Sequence, residues 1–207
     1  KYYSNNIGSL VTLLKLINNY PIKSFVFSSS CTVYGNPDSA PVTEKSPIKS
    51  AFSPYGYTKQ VCENCLADFY KMNPEMSIIL LRYFNPIGAH PSSLIGELPI
   101  GTPNNLVPYI TQTAAGIREK VVIFGDTYNT PDGTCIRDYI HVCDLADSHV
   151  LALKYAEKQN TIIETFNVGT GKGSSVLDVV KTFERVNNLA LNYEIGQKRD
   201  GDAPVVY

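Results

Sequence analysis

Apolar residues in the first 85 positions alternate between helical spacing and short, nearly continuous runs. Residues 5–20 carry apolar side chains every three or four positions and are followed by Pro21, so they predict a helix that stops at the proline. Residues 24–28 predict a strand, because this apolar run is too short for a helix. Residues 55–72 predict a second helix, and the apolar run at 77–83 is typical of a parallel strand covered on both faces. This order predicts an α/β fold with right-handed crossovers between parallel strands.

The pattern changes after Asn85 and Pro86. Residues 86–104 contain several Pro and Gly residues and no periodic element, which predicts a domain boundary or a long functional loop. Periodic segments then resume. They predict helices at 106–118, 142–155 and 175–186, and strands at 121–124, 136–140, 165–168 and 190–195.

Composition indicates a folded protein and argues against several classes of partner. The 207 residues are 43% hydrophobic and 18% charged, which supplies a core and is too little charge for disorder. A net charge of −1 lacks the basic excess of nucleic-acid and anionic-membrane surfaces, so neither is expected as the main partner. No apolar run reaches the ~18–20 residues of a membrane helix, and the first residues lack the pattern of a signal peptide.

Five cysteines are scattered along the chain. Their odd number and irregular spacing predict reduced thiols, as in a cytoplasmic protein, rather than a disulfide framework. Cys62 and Cys65 are three residues apart, but no second Cys or His pair completes a zinc site, so no metal is predicted.

The segment Tyr55-Gly-Tyr-Thr-Lys59 places a phenol and an ammonium group one helical turn apart. A phenol has an ordinary pKa of about 10, and a neighbouring cation stabilises phenolate, so Lys59 is expected to lower the pKa of Tyr55. Such a Tyr could exchange a proton with a sugar hydroxyl near neutral pH. With 14 tyrosines in the chain, about one such spacing is expected by chance, so an ordinary exposed helix pair is the competing interpretation.

A run of serines ends the strand predicted before this helix. Ser30 stands at the predicted carboxyl end, which is the edge where open α/β sheets bind ligands. The loop from Ser30 to Tyr55 is long enough to bring both side chains to one substrate oxygen. A serine that caps a turn is the alternative.

Longer segments are more specific than Tyr-x-x-x-Lys. They are Ser28-Ser-Ser-Cys-Thr-Val-Tyr-Gly35, Ser53-Pro-Tyr-Gly-Tyr-Thr-Lys59, Leu81-Arg-Tyr-Phe-Asn-Pro-Ile-Gly-Ala-His90, Pro103-Asn-Asn-Leu-Val-Pro-Tyr-Ile110, Asp132-Gly-Thr-Cys-Ile-Arg-Asp-Tyr-Ile-His-Val-Cys-Asp-Leu-Ala-Asp147 and Arg199-Asp-Gly-Asp202. Together they resemble the UDP-glucose 4-epimerase family of extended short-chain dehydrogenases/reductases, and the resemblance runs essentially end to end.

The resemblance implies NAD as cofactor and a transient 4-keto sugar. Tyr55 would take the proton from the sugar 4-hydroxyl, Ser30 would hydrogen-bond the 4-oxygen, and Lys59 would hold the nicotinamide ribose. The other cofactor positions that it implies are Asn5 or Asn6, Tyr83 and Phe84.

The resemblance also implies a UDP-hexose site. Its sugar and phosphate side would comprise Ser30, Cys31, Thr32, Tyr55 and Asn85, and its uridine side Asn105, Leu106, Val122, Ile123, Phe124 and Asp202. Arg137 and Arg199 would bind the diphosphate, for which forked donors are suited; a surface ion pair is the alternative role for each. Val206 would face the sugar 2-substituent, and its small side chain predicts that UDP-N-acetylhexosamines are also epimerised.

The expected fold class is α/β, with the C-terminal half of a Rossmann-like parallel sheet and a smaller mixed α/β substrate-binding region. Residues 1–85 would belong to the NAD-binding domain and 86–207 mainly to the UDP-sugar region, with elements around 136–170 returning to the first. No Gly-x-x-Gly-x-x-Gly precedes the first helix, so the chain is expected to be an internal segment without the pyrophosphate cradle or the C-terminal tail. The resemblance further implies a cytoplasmic homodimer that pairs helices 5–20 and 55–72.

Other interpretations stay open. Nucleotide-sugar dehydratases and decarboxylases carry carboxylates just before Val-Tyr-Gly, where this chain has Cys31 and Thr32, so an epimerase is favoured over them. A silent nucleotide-sugar sensor or a catalytically incomplete fragment is the alternative from another class. A metal hydrolase has little support, because His141 and His149 have no ligand spacing and are expected to be hydrogen-bonded structural residues.

Overall fold

In the computed structural model, which describes residues 1–159 and 161–207, the chain divides into two units. The first unit comprises Lys1–Phe84 and Asp144–Gly169, and the second comprises Asn85–Cys143 and Thr170–Tyr207. The chain therefore leaves the first unit close to the change of pattern at Asn85. It returns to that unit within the third quarter of the sequence.

The elements alternate along the chain. The helices are α1 (Ser9–Ile17), α2 (Pro54–Met72), α3 (Leu106–Ala114), α4 (Val142–Lys158) and α5 (Val176–Asn187). The strands are β1 (Ser24–Ser30), β2 (Ser77–Tyr83), β3 (Asn85–Ile87), β4 (Val121–Phe124), β5 (Ile136–His141), β6 (Ile163–Val168), β7 (Gly173–Ser175), β8 (Tyr193–Gly196) and β9 (Val205–Val206). A π-helical segment, Tyr3–Gly8, runs into α1, and a 3-10 helix, Cys31–Tyr34, follows β1.

A parallel sheet of order β1-β2-β6 forms the centre of the first unit. Its central strand, β2, is apolar on both faces, and each face packs against helices. One face contributes to a core with residues of α1 and α2, and the other contributes to a core with Ala152 and Ala156 of α4. The prediction of a buried parallel strand at 77–83 and of an α/β fold is confirmed.

The second unit is built on two smaller sheets. Strand β5 pairs in parallel with β3 and β9 and antiparallel with β7, and β4 pairs in parallel with β8. A core shared by α3, β4 and α5 covers the second of these sheets. Its fully buried side chains are Ile110, Val121, Ile123 and Val180.

Some element boundaries predicted from the sequence were wrong. Helix α3 ends at Ala114 rather than at residue 118, because Gly116 adopts a φ of +72° and the chain turns there. Strand β8 begins at Tyr193, not at residue 190. The strands β3, β7 and β9 were not predicted, since segments of two or three residues are too short to show a period.

Candidate active site

Ser30 occupies the carboxyl end of β1, where its side chain caps the following 3-10 helix. Its Oγ accepts hydrogen bonds from the backbone N–H of Thr32 at 3.2 Å and from the Thr32 hydroxyl at 3.0 Å. Cys31 is buried and Thr32 is exposed. Ser30 pairs in register with Tyr83 of β2, so these two predicted site residues lie side by side at the sheet edge. Ser30 therefore caps the 3-10 helix, which was the alternative interpretation, and also lies at the predicted edge of the sheet.

Local signals at the start of α2 place Tyr55 beside Ser30. Ser53 caps the helix by accepting a hydrogen bond from the Gly56 N–H at 3.1 Å, and Pro54 occupies the first turn. A Cβ at Gly56 would lie 3.1 Å from the Thr32 carbonyl oxygen, so the absence of a side chain lets α2 approach the 3-10 helix closely. Hydrogen bonding with the Ser30 side chain acts to lower the pKa of the Tyr55 phenol.

Lys59 lies one turn further along α2 and points its ammonium group at the backbone of β1. Its Nζ donates a hydrogen bond to the Ser28 carbonyl oxygen at 2.7 Å and stands 5.6 Å from the centre of the Tyr55 ring. Burial lowers the pKa of Lys59, and the neighbouring Cys62 and Glu63 act in the opposite direction. The three predicted catalytic residues are thus brought together.

The expected lowering of the Tyr55 pKa was wrong. Burial, with a smaller contribution from the Tyr83 phenol, raises the pKa of Tyr55 to about 12, and hydrogen bonding to Ser30 acts against both. Burial of the phenol is the main physical reason, and the Lys59 ammonium group is bonded instead to a carbonyl oxygen of β1. Desolvation of the phenol therefore outweighs the neighbouring cation.

The predicted cofactor residues differ in their surroundings. Tyr83 is half-buried with its ring 6.3 Å from that of His149, and Phe84 is buried with its N–H bonded to the Val168 carbonyl at 3.1 Å. The amide of Asn6 donates to the Thr58 hydroxyl of α2 at 2.8 Å, whereas Asn5 is exposed. The structure therefore joins Asn6 to α2 through a side-chain hydrogen bond.

In the second unit, the predicted uridine residues line one cavity of about 320 Å³. Those residues are Asn105, Leu106, Val122, Ile123, Phe124 and Asp202, and Arg199, which was predicted to bind the diphosphate, lines the same cavity. A neighbouring depression of about 120 Å³ shares Asn105 and Arg199 and adds Asn85 and Arg137. Sequence reasoning missed several other lining residues, among them Tyr109, Cys135 and Val176, because nothing in their spacing marks them.

Two arginines and one aspartate line this cavity and the neighbouring depression, so positive charge is in excess there. Arg199 donates to the Asp202 carboxylate at 2.8 Å and stacks 4.7 Å above the Phe124 ring, and Arg137 lies 3.7 Å from the same carboxylate. Two guanidinium groups thus share one carboxylate, which suits an anionic ligand. Val206 is buried beside Arg137 in the β5–β9 pairing and does not line either cavity of the described chain.

The histidines have structural partners. His149 lies 3.0 Å from the Ser28 hydroxyl through Nε2 and 2.8 Å from the Leu145 carbonyl through Nδ1, and His141 accepts the Cys143 N–H. Their predicted role as hydrogen-bonded residues is confirmed. Within the described residues, no group of three or more His, Cys, Asp and Glu could hold a metal ion, and no helix is long and apolar enough to cross a membrane.

Comparisons with known proteins found similar chains. UDP-glucose 4-epimerase 2 of Arabidopsis thaliana is 51% identical to this chain over 206 residues. UDP-glucose 4-epimerase of Dictyostelium discoideum is 50% identical to it over 204 residues. The structure of UDP-glucose 4-epimerase from Bifidobacterium longum with NAD+ and UDP superposes with a TM-score of 0.95 at 44% identity and covers all of this chain. The chain spans 59%, 58% and 61% of these three proteins, respectively.

A family model covers most of the chain. It is the model of the NAD dependent epimerase/dehydratase family, and it matches residues 1–169. The chain belongs to the NAD dependent epimerase/dehydratase family.

Proposed function

We propose that this protein interconverts UDP-galactose and UDP-glucose by NAD-dependent epimerisation at C4. The observation that carries the proposal is the assembly of Ser30, Tyr55 and Lys59 at the carboxyl end of a parallel sheet. The epimerases of Arabidopsis thaliana and Dictyostelium discoideum support it as relatives at about half identity.

The residues around Tyr55 fit a nicotinamide nucleotide. An ammonium group has three donors, and Lys59 uses one on the Ser28 carbonyl, which leaves two for ribose hydroxyls. Tyr55, Tyr83, Phe84 and Asn6 or Asn5 would complete the contacts. When bound, NAD supplies the reversible two-electron oxidation of the sugar C4 carbon.

Tyr55 and Ser30 would handle the proton of the sugar 4-hydroxyl. Tyr55 accepts this proton and later returns it, while Ser30 holds the 4-oxygen by a hydrogen bond. Because burial raises the pKa of Tyr55 to about 12, the phenol is protonated at neutral pH. Forming the phenolate therefore requires more cationic charge near Tyr55 than Lys59 supplies in this structure.

The second unit would bind the UDP moiety. Arg137 and Arg199 would neutralise the diphosphate, Asp202 would accept from a ribose hydroxyl, and the apolar wall of Leu106 and Phe124 would contact the uracil. Acceptance of UDP-N-acetylhexosamines is proposed from the family resemblance alone, which puts the small Val206 at the position beside the sugar 2-substituent. A cytoplasmic location and a homodimer formed through α1 and α2 are further parts of the proposal.

Nucleotide-sugar binding without turnover is the second candidate function. The raised pKa of Tyr55 is the observation that favours it, because a phenol held neutral is a poor base. Both candidates require the cavity of the second unit to bind UDP.

The deciding experiment compares the native gene product with its Tyr55→Phe and Tyr57→Phe variants. We expect epimerase activity with UDP-galactose, a loss of about 10²–10⁴-fold in kcat for Tyr55→Phe, and an unchanged rate for Tyr57→Phe, because Tyr57 is exposed on the same helix. UDP binding by calorimetry without turnover in the native protein would establish the sensor instead. Turnover of UDP-galactose but not of UDP-N-acetylgalactosamine would reject the broader substrate range.

A further inference from the structure

A buried ion pair joins strand β2 to helix α2 in the first unit. Arg82 of β2 and Glu63 of α2 are 5% and 6% exposed. Arg82 donates to Glu63 through Nε at 2.9 Å and through Nη2 at 2.6 Å, which is a bidentate pair. We propose that this pair, with the polar side chains bonded to it, positions Ser30 and Lys59 for catalysis; the inference rests on the proposed function.

Hydrogen bonds extend the pair to three further elements of the unit. The Ser29 hydroxyl of β1 donates to Glu63, and Arg82 Nη1 donates to the Tyr34 hydroxyl at 3.1 Å. Tyr34 in turn donates to the Asn167 side chain of β6 at 2.6 Å. We refer to Ser29, Tyr34, Glu63, Arg82 and Asn167 as the buried network.

Several network residues stand directly beside a site residue in the chain. Ser29 precedes Ser30, and Arg82 precedes Tyr83. Glu63 follows Lys59 by one helical turn on the same face of α2. Tyr34 ends the 3-10 helix that Ser30 caps. A shift of the network therefore moves the backbone that carries the site.

Stability alone is a weak reason for this network. Desolvating two charges is costly, and replacement of a buried ion pair by apolar residues of similar size is often neutral or stabilising. Among the described residues, the buried side-chain atoms without a partner belong to Thr113 and Tyr128, so no buried network atom is unsatisfied. Fully satisfied polar networks rigidify their surroundings and select one arrangement. Glu63 also supports the cationic form of Lys59 against burial.

The experiment replaces the pair in the native gene product. Glu63→Met with Arg82→Met keeps the volume and removes both charges, and Glu63→Gln keeps the shape in case the double variant does not fold. Asp68→Asn is the matched control, because Asp68 forms an exposed ion pair with Lys71 on the same helix. We expect the double variant to keep its Tm within about 4 °C and to lose about 100-fold in kcat, with KM nearly unchanged. Glu63→Gln should also lower kcat, and Asp68→Asn should leave kcat unchanged.

A retained Tm with a retained kcat in either network variant would overturn the inference. A readout without turnover separates it from the proposed function. Amide hydrogen exchange, followed by mass spectrometry, should become faster in peptides covering residues 28–34 of the variants and stay unchanged in Asp68→Asn. If the native protein shows no epimerase activity, the proposed function fails. Unchanged hydrogen exchange in residues 28–34 of the variants rejects the positioning role, whether or not the native protein is active.

Discussion

At the scale of single residues, Tyr55 illustrates how burial and a neighbouring charge compete. Its phenol lies beside Ser30 and within 5.6 Å of the Lys59 ammonium group, measured from the ring centre, yet burial raises its pKa to about 12. The neutral form is therefore the one that the folded protein favours. This preference links the titration of Tyr55 to the stability of the fold.

Raising the pH is predicted to lower the free energy of unfolding, because the folded protein favours the neutral form of the Tyr55 phenol. The folded pKa lies above the unfolded value of about 10, so the contribution is complete below pH 10 and is lost as pH rises toward 12. Two pH units correspond to roughly 3 kcal/mol. Urea unfolding at pH 9–12 should show a steeper loss for the native protein than for Tyr55→Phe. Tyr57→Phe should follow the native curve, and parallel curves for all three proteins would contradict the prediction.

The sequence predicted which candidate site residues lie close together but not their electrostatics. The spacing of Tyr55 and Lys59 and the position of Ser30 at a strand end are local features, so these residues could be predicted to meet. The pKa of Tyr55 depends on burial and on the direction of the Lys59 side chain, which only the folded chain defines. The roles of Glu63 and Arg82 escaped prediction for the same reason, since nothing in sequence marks two residues 19 positions apart as a pair.

At the scale of elements, long periodic segments were predictable and short strands were not. The continuous apolar run at 77–83 predicted the buried strand β2. Strand β7, with Gly173 and two serines, has no such pattern, and its pairing with β5 comes from tertiary contacts. One of these contacts is Asp138 of β5, which holds the loop that leads into β7.

Asp138→Asn is predicted to destabilise the second unit. The buried carboxylate accepts hydrogen bonds from the Thr170 N–H and hydroxyl and from the Gly171 N–H, all within 2.9 Å. The amide of Asn would place an N–H donor where the carboxylate now accepts hydrogen bonds. We therefore expect the free energy of unfolding to fall by about 2–3 kcal/mol. Differential scanning calorimetry of the native gene product measures this loss. Asp126→Asn, at an exposed position of the same unit, should leave the transition in place; an equal shift for both variants would refute the role of Asp138.

At the scale of the whole molecule, the two units present different chemistry. The first unit carries the hydroxyl, phenol and ammonium groups of the proposed proton transfer. The second carries the cavity with two arginines that suits a nucleotide diphosphate. UDP affinity therefore tests the proposed role of the second unit alone, whereas turnover requires the proposed roles of both units.

The proposed homodimer predicts a specific response to charge on α1. Leu13 and Leu16 are 48% and 49% exposed and lie on one face of that helix, where a partner helix could cover them. Leu13→Asp with Leu16→Glu should convert a dimer into a monomer in size-exclusion chromatography with light scattering, because buried unpaired carboxylates are costly. Val186→Asp, at a 72% exposed position of α5, should keep the dimer mass. A native protein with monomer mass, or a dimer that survives the α1 changes, would exclude α1 as the interface.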